Sequence, residues 1–316
     1  MSQFLSVIIC THNPRPNYLQ KVLNALRSQT LSTDNWELLL VDNASDKLLA
    51  SEIDLSWHPQ SRHIREEELG LTPARLRGMA EATGETLVFV DDDNVLAPDY
   101  LEVTLQISQN HPSIGAWGGQ TLPEFEVSPP EWTKPFWGYL ALREVDRDQW
   151  SNLLHQLETT PYGAGLCVRK TVTDQYAADV QNHPVRSKLG RRGASSTDEI
   201  PLSCEDIDLA YTACDLGLGT GLFTALKLTH LIPANRLTQE YFSRLIKGTT
   251  YSRIVLEAMR NKLPSPPDRS LKAKVSELYR LWKMHPEQRP LHKAVQQGAT
   301  LAIEKILNSK EFASNL

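Results

Sequence analysis

Cysteine is scarce in this 316-residue chain: Cys10, Cys167, Cys204 and Cys214 are the four, and none form a C-x-x-C pair. Neither a zinc knuckle nor a dithiol redox motif is therefore encoded. No window approaches the ~20 apolar residues that a helix needs to cross a bilayer. The stretch Met1–Leu5 carries no basic region leading into an apolar one, as a secretory signal would. The expectation is a soluble, cytoplasmic protein from a reducing compartment, with peripheral contact to a membrane surface left open. Positive charge is not in surplus either: 33 Lys and Arg against 38 Asp and Glu give a net charge of -5, no footprint for wrapping nucleic acid. Three signatures are also missing: a G-x-G-x-x-G after the first apolar run, a G-x-x-x-x-G-K-[ST], and a G-x-S-x-G. Their absence argues against a dinucleotide-dependent dehydrogenase, an ATPase-type phosphate loop and a serine-elbow hydrolase.

What is present reads as an ordinary globular chain, 41% hydrophobic and 22% charged, sized for one large domain or a domain with a smaller extension. Three continuous apolar runs stand in the first third: Ser6–Cys10, Leu38–Val41 and Leu87–Val90. Continuity, rather than alternation, marks strands covered on both faces. Helical patterns lie between them. Leu19, Val22, Leu23 and Leu26 recur at helical spacing; Thr72-Pro73 starts a helix that should stop near Gly84; another runs from about Pro98 to before His111-Pro112. Strands alternating with helices predict right-handed crossovers and a parallel sheet.

Each apolar run ends in a polar cluster: Thr11-His12-Asn13, then Asp42-Asn43, then Asp91-Asp92-Asp93-Asn94. Open α/β sheets bind ligands off the carboxyl ends of their strands, so the three clusters should converge on one crevice. Further on, Trp117 to Trp150 is rich in proline and tryptophan and reads as loop. Gln181 to Ser196 reads as a polar, basic loop. A helix is predicted from Ser203 to about Leu216, closed by Gly217, then a strand over Leu222–Leu228. After Pro233 the pattern is helical, broken at Pro264-Ser265-Pro266-Pro267, with a boundary near Ala234.

Asp91, Asp92 and Asp93 would repel one another at a strand end unless something positive sits among them. Hard carboxylate oxygens suit Mg²⁺ or Mn²⁺, which in turn hold phosphate oxygens. In Ser203-Cys204-Glu205-Asp206, the acids fit a capped helix start, and the same placement would hold Asp206 rigidly as a general base. His230 follows a predicted strand, where either a structural role or a metal-ligand role fits.

Taken in order, Ser6–Asn13, Leu39–Asp46, Gly70–Arg75, Val90–Asp93, Gly163-Ala164-Gly165, Glu205-Asp206 and His230 resemble the family 2 inverting glycosyltransferases of bacterial type, with the GT-A fold. The resemblance covers about Ser6 to Ile246. It implies an α/β fold with a mostly parallel central sheet flanked by helices, a Rossmann-like nucleotide-binding half, and a helical C-terminal extension. Residues 1–234 would form the transferase domain, with a nucleotide-binding part over about 1–115 and an acceptor part over about 116–234; 235–316 would be the extension. By the same resemblance Thr11, His12, Asn13 and Asp42 would line the nucleoside pocket, with Arg75 near the nucleotide. Asp91 and Asp92 would sit on the donor side, Asp91 nearer the ribose. Asp93 and His230 would hold Mn²⁺ or Mg²⁺, and Asp206, with Glu205, would be catalytic. His12 stands where many members have Tyr, and Leu76 where Asn usually follows the arginine.

The activity implied is transfer from a nucleoside-diphosphate sugar, UDP-linked by preference, to a glycan, a lipid-linked or another hydroxyl acceptor in polysaccharide synthesis. A sugar nucleotidyltransferase and a non-catalytic nucleotide-sugar-binding scaffold are the competing readings. The first would need a glycine-rich basic loop that Thr11–Asn17 lacks, and the retained acids argue against the second. Arg186, Lys188, Arg191 and Arg192 suggest a lid over the diphosphate. One or more of the tryptophans between Trp117 and Trp150 is expected at the acceptor site. In the tail, Leu271, Val275, Leu278 and Leu281-Trp282 form a stripe beside Lys272, Lys274, Arg280 and Lys283. Packing of that stripe on its own domain or in a homodimer is favoured over a membrane surface.

Overall fold

The computed structural model describes residues 4–183, 186, 189–190, 202–264 and 270–308. The chain opens with β1 (Leu5–Thr11), α1 (Pro16–Arg27), β2 (Trp36–Asn43), β3 (Ser61–Glu66), α2 (Leu71–Glu81), β4 (Thr86–Asp91), β5 (Asn94–Leu96) and α3 (Tyr100–Asn110). It continues through β6 (Ile114–Phe125), a 3₁₀ stretch (Glu131–Leu140), β7 (Gln149–Ser151), β8 (Cys167–Arg169), α4 (Lys170–Asn182), α5 (Glu205–Asp215) and β9 (Gly219–Ile232). The helices α6 (Gln239–Met259), α7 (Leu271–Lys283) and α8 (Arg289–Asn308) follow.

Local chemistry sets these elements. Pro16 opens α1 where its missing N–H costs nothing, and the last turn carries Arg27 against the carbonyl end. Pro73 sits in the first turn of α2. The first turn of α5 holds Glu205, Asp206 and Asp208 at the positive end of its dipole. The strands assemble in the order β3-β2-β1-β4-β8-β6-β9-β5, with β7 on β9. The half from β3 to β4 is parallel, as expected. The other half is mixed: β8 runs antiparallel to β4 and β6, β6 is parallel to β9, and β5 and β7 are antiparallel to β9.

Both faces of the parallel half are covered. Val7, Ile9, Leu38, Leu40, Val88 and Val90 pack with Leu19, Val22, Leu23 and Leu26 of α1 and Leu101 of α3. On the other face, Ile8, Leu39, Val41 and Phe89 pack with Met79 of α2, Tyr176 of α4 and Leu209 and Ala213 of α5. Each such side chain contributes about 1.5–3 kcal/mol by leaving water. That double cover explains the continuous apolar runs and fixes which ends of β1, β2 and β4 stay open for polar loops.

The structure corrects several expectations. Trp117–Trp150 is not mainly loop: β6 runs through it to Phe125, followed by the 3₁₀ stretch and β7. Pro123 is tolerated because β8 pairs only with Ala116 and Trp117, so further along β6 one edge is without a continuous ladder. The strand expected over Leu222–Leu228 extends over Gly219–Ile232.

The chain divides into two compact units. The first draws on the described residues of Met1–Glu126, Ala141–Ser195 and Glu205–Ile232, and the second on those of Val127–Leu140, Ser196–Cys204 and Pro233–Leu316. Within the second, Trp132 and Phe136 pack on Phe242 of α6. There α6 and α8 cross so closely that a Cβ on Gly298 would lie 2.4 Å from the Lys247 carbonyl oxygen. Of the two covers expected for the α7 stripe, its own domain supplies none: Leu271, Val275, Leu278 and Trp282 are exposed in the single chain. Among the described residues no helix is long and apolar enough to cross a membrane.

Candidate active site

The carboxyl ends of β1, β2 and β4 lie side by side, and their loops bond to one another. Thr11 Oγ1 donates to Asp92 Oδ2. The His12 ring Nδ1 lies 2.8 Å from the Asn43 carbonyl oxygen. The Asn13 backbone N–H donates to Ser45 Oγ at 3.0 Å, and Asn13 Oδ1 accepts from the Asp46 N–H at 2.9 Å. Asn13 and Ala44 both have positive φ, 47° and 52°, and the tight turns they make let the two loops meet.

Asp42 is buried and well occupied. Its oxygens accept from the Ser45 N–H at 3.1 Å, the Leu49 N–H at 3.1 Å and Arg65 Nη1 at 2.8 Å. Burial raises its pKa, but these donors, with the Ser45 side chain, outweigh burial and hold it below the ordinary value. Asp42 thus shapes the second loop as its principal visible duty, and Arg65, which the sequence did not single out, is its counter-ion.

Arg75 is the hub of the site. It projects from α2, is 4% exposed, and stacks over the Phe89 ring with its guanidinium carbon 5.4 Å from the centroid. Its Nη1 lies 3.2 Å from Glu205 Oε1 and its Nη2 lies 3.6 Å from Asp91 Oδ1. Burial disfavours the charge, yet Glu205, Asp91 and Asp206 together more than offset it and raise the pKa above its ordinary value. Asp206 is half-buried. Its Oδ2 accepts the Gly163 N–H at 2.6 Å and its Oδ1 the Ile207 N–H at 2.9 Å. Glycine at 163 leaves both groups undisturbed, since a Cβ there would stand 2.7 Å from Arg75 Nη2 and 3.1 Å from Asp206 Oδ2. Nearby, the Tyr100 hydroxyl donates to the Gly165 carbonyl at 2.6 Å, anchoring the far side of that turn. Cys10 abuts this cluster, and burial pushes its thiol up to about 12.

Asp93 and His230 are brought together from elements far apart in sequence. β5 pairs with β9 so that Asn94 is opposite His230, and His230 Nε2 lies 3.3 Å from Asp93 Oδ2, both side chains buried. Asn94 Nδ2 donates to the other Asp93 oxygen at 3.0 Å. A carboxylate oxygen beside an imidazole nitrogen fits Mn²⁺ or Mg²⁺, ions that leave several positions to water and phosphate oxygens. Among the described residues no group of three or more His, Cys, Asp or Glu is placed to hold a metal ion, so Asp93 and His230 are a pair.

Residues 6–176 match the family model for glycosyl transferase family 2, more than half of the chain. The chain belongs to glycosyltransferase family 2. Among curated relatives, the glycosyltransferase AglE of Haloferax volcanii is 37% identical over 93 residues, 28% of this chain and 30% of that protein. The glucosyl-dolichyl phosphate glucuronosyltransferase of the same organism is 24% identical over 171 residues, 53% of each chain. The chain thus matches about a third to about half of these relatives' length. Two solved structures share the fold. The mannosyltransferase PcManGT of Pyrobaculum calidifontis, with GDP-Man and Mn²⁺, aligns at TM-score 0.55 and 16% identity over 99% of this chain and 78% of its own. S. aureus TarS 1-349 with UDP-GlcNAc aligns at TM-score 0.54 and 13% identity over 99% and 89%.

In this family 2 glycosyltransferase the structure joins Thr11 to Asp92, His12 to Asn43, Asn13 to Ser45, Asp91 through Arg75 to Glu205, and Asp93 to His230. Glu205 is turned inward, 5% exposed, as the partner of Arg75, whereas Asp206 beside it is the more open acid. Of the basic residues proposed as a lid, Arg186 is paired with Asp179 and, at 3.5 Å, with buried Asp208. Lys188, Arg191 and Arg192 lie outside the described residues. Of the tryptophans between 117 and 150, Trp117 is core, while Trp150 is open to solvent beside His111.

Proposed function

We propose that this glycosyltransferase moves a sugar from a nucleoside-diphosphate sugar, UDP-linked in our reading, to an acceptor hydroxyl with inversion, and that it depends on a divalent metal. The observation that carries the reading is the Arg75 bridge, which ties Asp91 at the end of β4 to Glu205 beside Asp206 at the start of α5. One buried cation thereby sets the donor-side acids against the half-buried acid of α5. The nucleotide-sugars named with two structural neighbours, UDP-GlcNAc and GDP-Man, fit such a donor.

Thr11, His12, Asn13 and the Asp42 loop line the nucleoside side. Asp93 and His230 would hold the metal. When bound there, a divalent cation neutralises charge on the departing diphosphate. Asp206 accepts the proton of the acceptor hydroxyl as that oxygen bonds to the anomeric carbon. The bond from the anomeric carbon to the diphosphate oxygen breaks with its electron pair leaving on the nucleoside diphosphate. One base and one leaving group on opposite faces give a single displacement, hence inversion. Gly163 and Ile207 N–H groups fix the carboxylate of Asp206, so little reorganisation is needed. Glu205 positions Arg75 and does not touch the reacting atoms. The retained acids favour transfer over the scaffold reading, and the glycine-free loop after β1 favours it over nucleotidyl transfer.

The test has two arms. Thermal unfolding is followed with UDP, GDP, CDP and TDP, each with and without Mn²⁺. A metal-dependent rise with one of them, abolished by Asp93→Ala, is expected. Asp206→Asn should keep that rise yet lose about 10²–10⁴-fold in donor turnover. No rise with any diphosphate removes the donor site from this crevice; a rise with normal turnover in Asp206→Asn removes the base assignment alone.

A further inference from the structure

Helix α7 presents an apolar face to solvent. Leu271, Val275, Leu278 and Trp282 recur at i, i+4, i+7 and i+11 and so share one side of the helix; they are 78, 57, 68 and 73% exposed. Tyr279 stacks beside Trp282, ring centroids 6.1 Å apart. The acid of this helix, Glu277, is turned toward α8, where it meets His292 and, at 2.7 Å, Gln296. Lys272 and Lys283 are exposed beside the stripe, whereas Arg280 lies on the opposite side and pairs with Glu277, Nη1 3.4 Å from Oε2. Lys283 places its ammonium over the Tyr279 ring, 4.6 Å from the centroid.

A chain with net charge -5 thus concentrates cations around one exposed apolar stripe and directs the local acid away from it. Two copies pairing through this face would bring their cations together. An anionic surface complements them, and a stripe of Leu, Tyr and Trp rimmed by lysine matches helices that lie in the headgroup region of a bilayer.

We propose that α7 binds an anionic lipid surface, its Leu271–Trp282 stripe inserted at the headgroup boundary and Lys272 and Lys283 paired with lipid phosphates. The proposal stands on the helix alone and is independent of the donor chemistry. The full chain is floated in density gradients with vesicles of phosphatidylcholine, alone or mixed with phosphatidylglycerol. Flotation is expected with the anionic vesicles only, and added salt should weaken it. Lys272→Gln with Lys283→Gln should weaken binding about fivefold per lysine, and Leu278→Glu with Trp282→Glu should abolish it. Because these side chains are exposed, the circular dichroism of each variant should match the parent. Absence of flotation, or equal flotation with neutral vesicles, overturns the proposal. So does a dimer in sedimentation velocity that Leu278→Glu with Trp282→Glu dissociates, since the face would then belong to a second copy.

Discussion

Replacing Arg75 with Met should expose how much the buried charge cluster contributes to this fold. The guanidinium is 4% exposed and Glu205 5%, with 3.2 Å between Nη1 and Oε1. Methionine keeps much of the packing over Phe89 but removes the Arg75 cation from the buried Glu205 carboxylate. Breaking a buried pair in this way costs about 3–5 kcal/mol. Asp91 adds little, because it is 3.6 Å away and its side chain is 37% exposed. For a domain of ~150–250 residues each kcal/mol moves the melting temperature by roughly 2–4 °C, so a drop of about 6–20 °C is expected. Calorimetry and guanidinium titration would measure it. Adding Glu205→Gln should restore more than half of the loss, because a neutral amide needs no buried counter-charge. A drop below about 1 kcal/mol, or a double variant no better than Arg75→Met, would refute the hub role.

Gly163→Ala should act on the base while leaving its carboxyl chemically intact: the new methyl would crowd Arg75 Nη2 at 2.7 Å and Asp206 Oδ2 at 3.1 Å, and both groups are already held in place. A stability loss of about 1–3 kcal/mol, together with at least ~10-fold slower donor turnover, is expected; parent-like turnover would show that the site tolerates a displaced Asp206. Glu37 supplies a pH test. Burial raises its pKa, but the Thr83 N–H and hydroxyl, the Ser6 hydroxyl and Arg62 outweigh burial and lower it below 4.5. Its stabilisation is therefore fully present above pH 4.5 and lost as pH falls through the folded-state value. Glu37→Gln should be less stable than the parent at neutral pH, by about 1–3 kcal/mol, and should show a shallower acid slope in urea titrations. An unchanged slope would assign the acid sensitivity elsewhere.

Much of the first half was legible in the sequence because its signals are local. Each apolar run from Ser6 to Val90 became a strand covered on both faces, each ended in a polar loop, helical spacing of leucines marked α1, and Thr72-Pro73 marked the start of α2. Apolar content and turn residues act within a few positions, so pattern alone reports them. β6 was obscured because its prolines and tryptophans carry a loop-like composition, while its pairing partners, β8 and β9, come from far downstream. The same distance hid the counter-ions. Arg65 reaches back 23 residues to Asp42, and Arg75 reaches forward 130 residues to Glu205.

By itself, then, the sequence marked β1, β2, β4 and the helices near them, the open polar strand ends and a set of candidate acids, since hydrophobic period and residue type are properties of short segments. Tertiary structure alone decided which acid is open and which is paired, that Gly163 holds Asp206, that β5 sets Asp93 against His230, and that the α7 stripe faces outward. Those outcomes depend on which surfaces meet when distant segments pack, and burial and charge pairing between such surfaces have no counterpart in any local window of the chain.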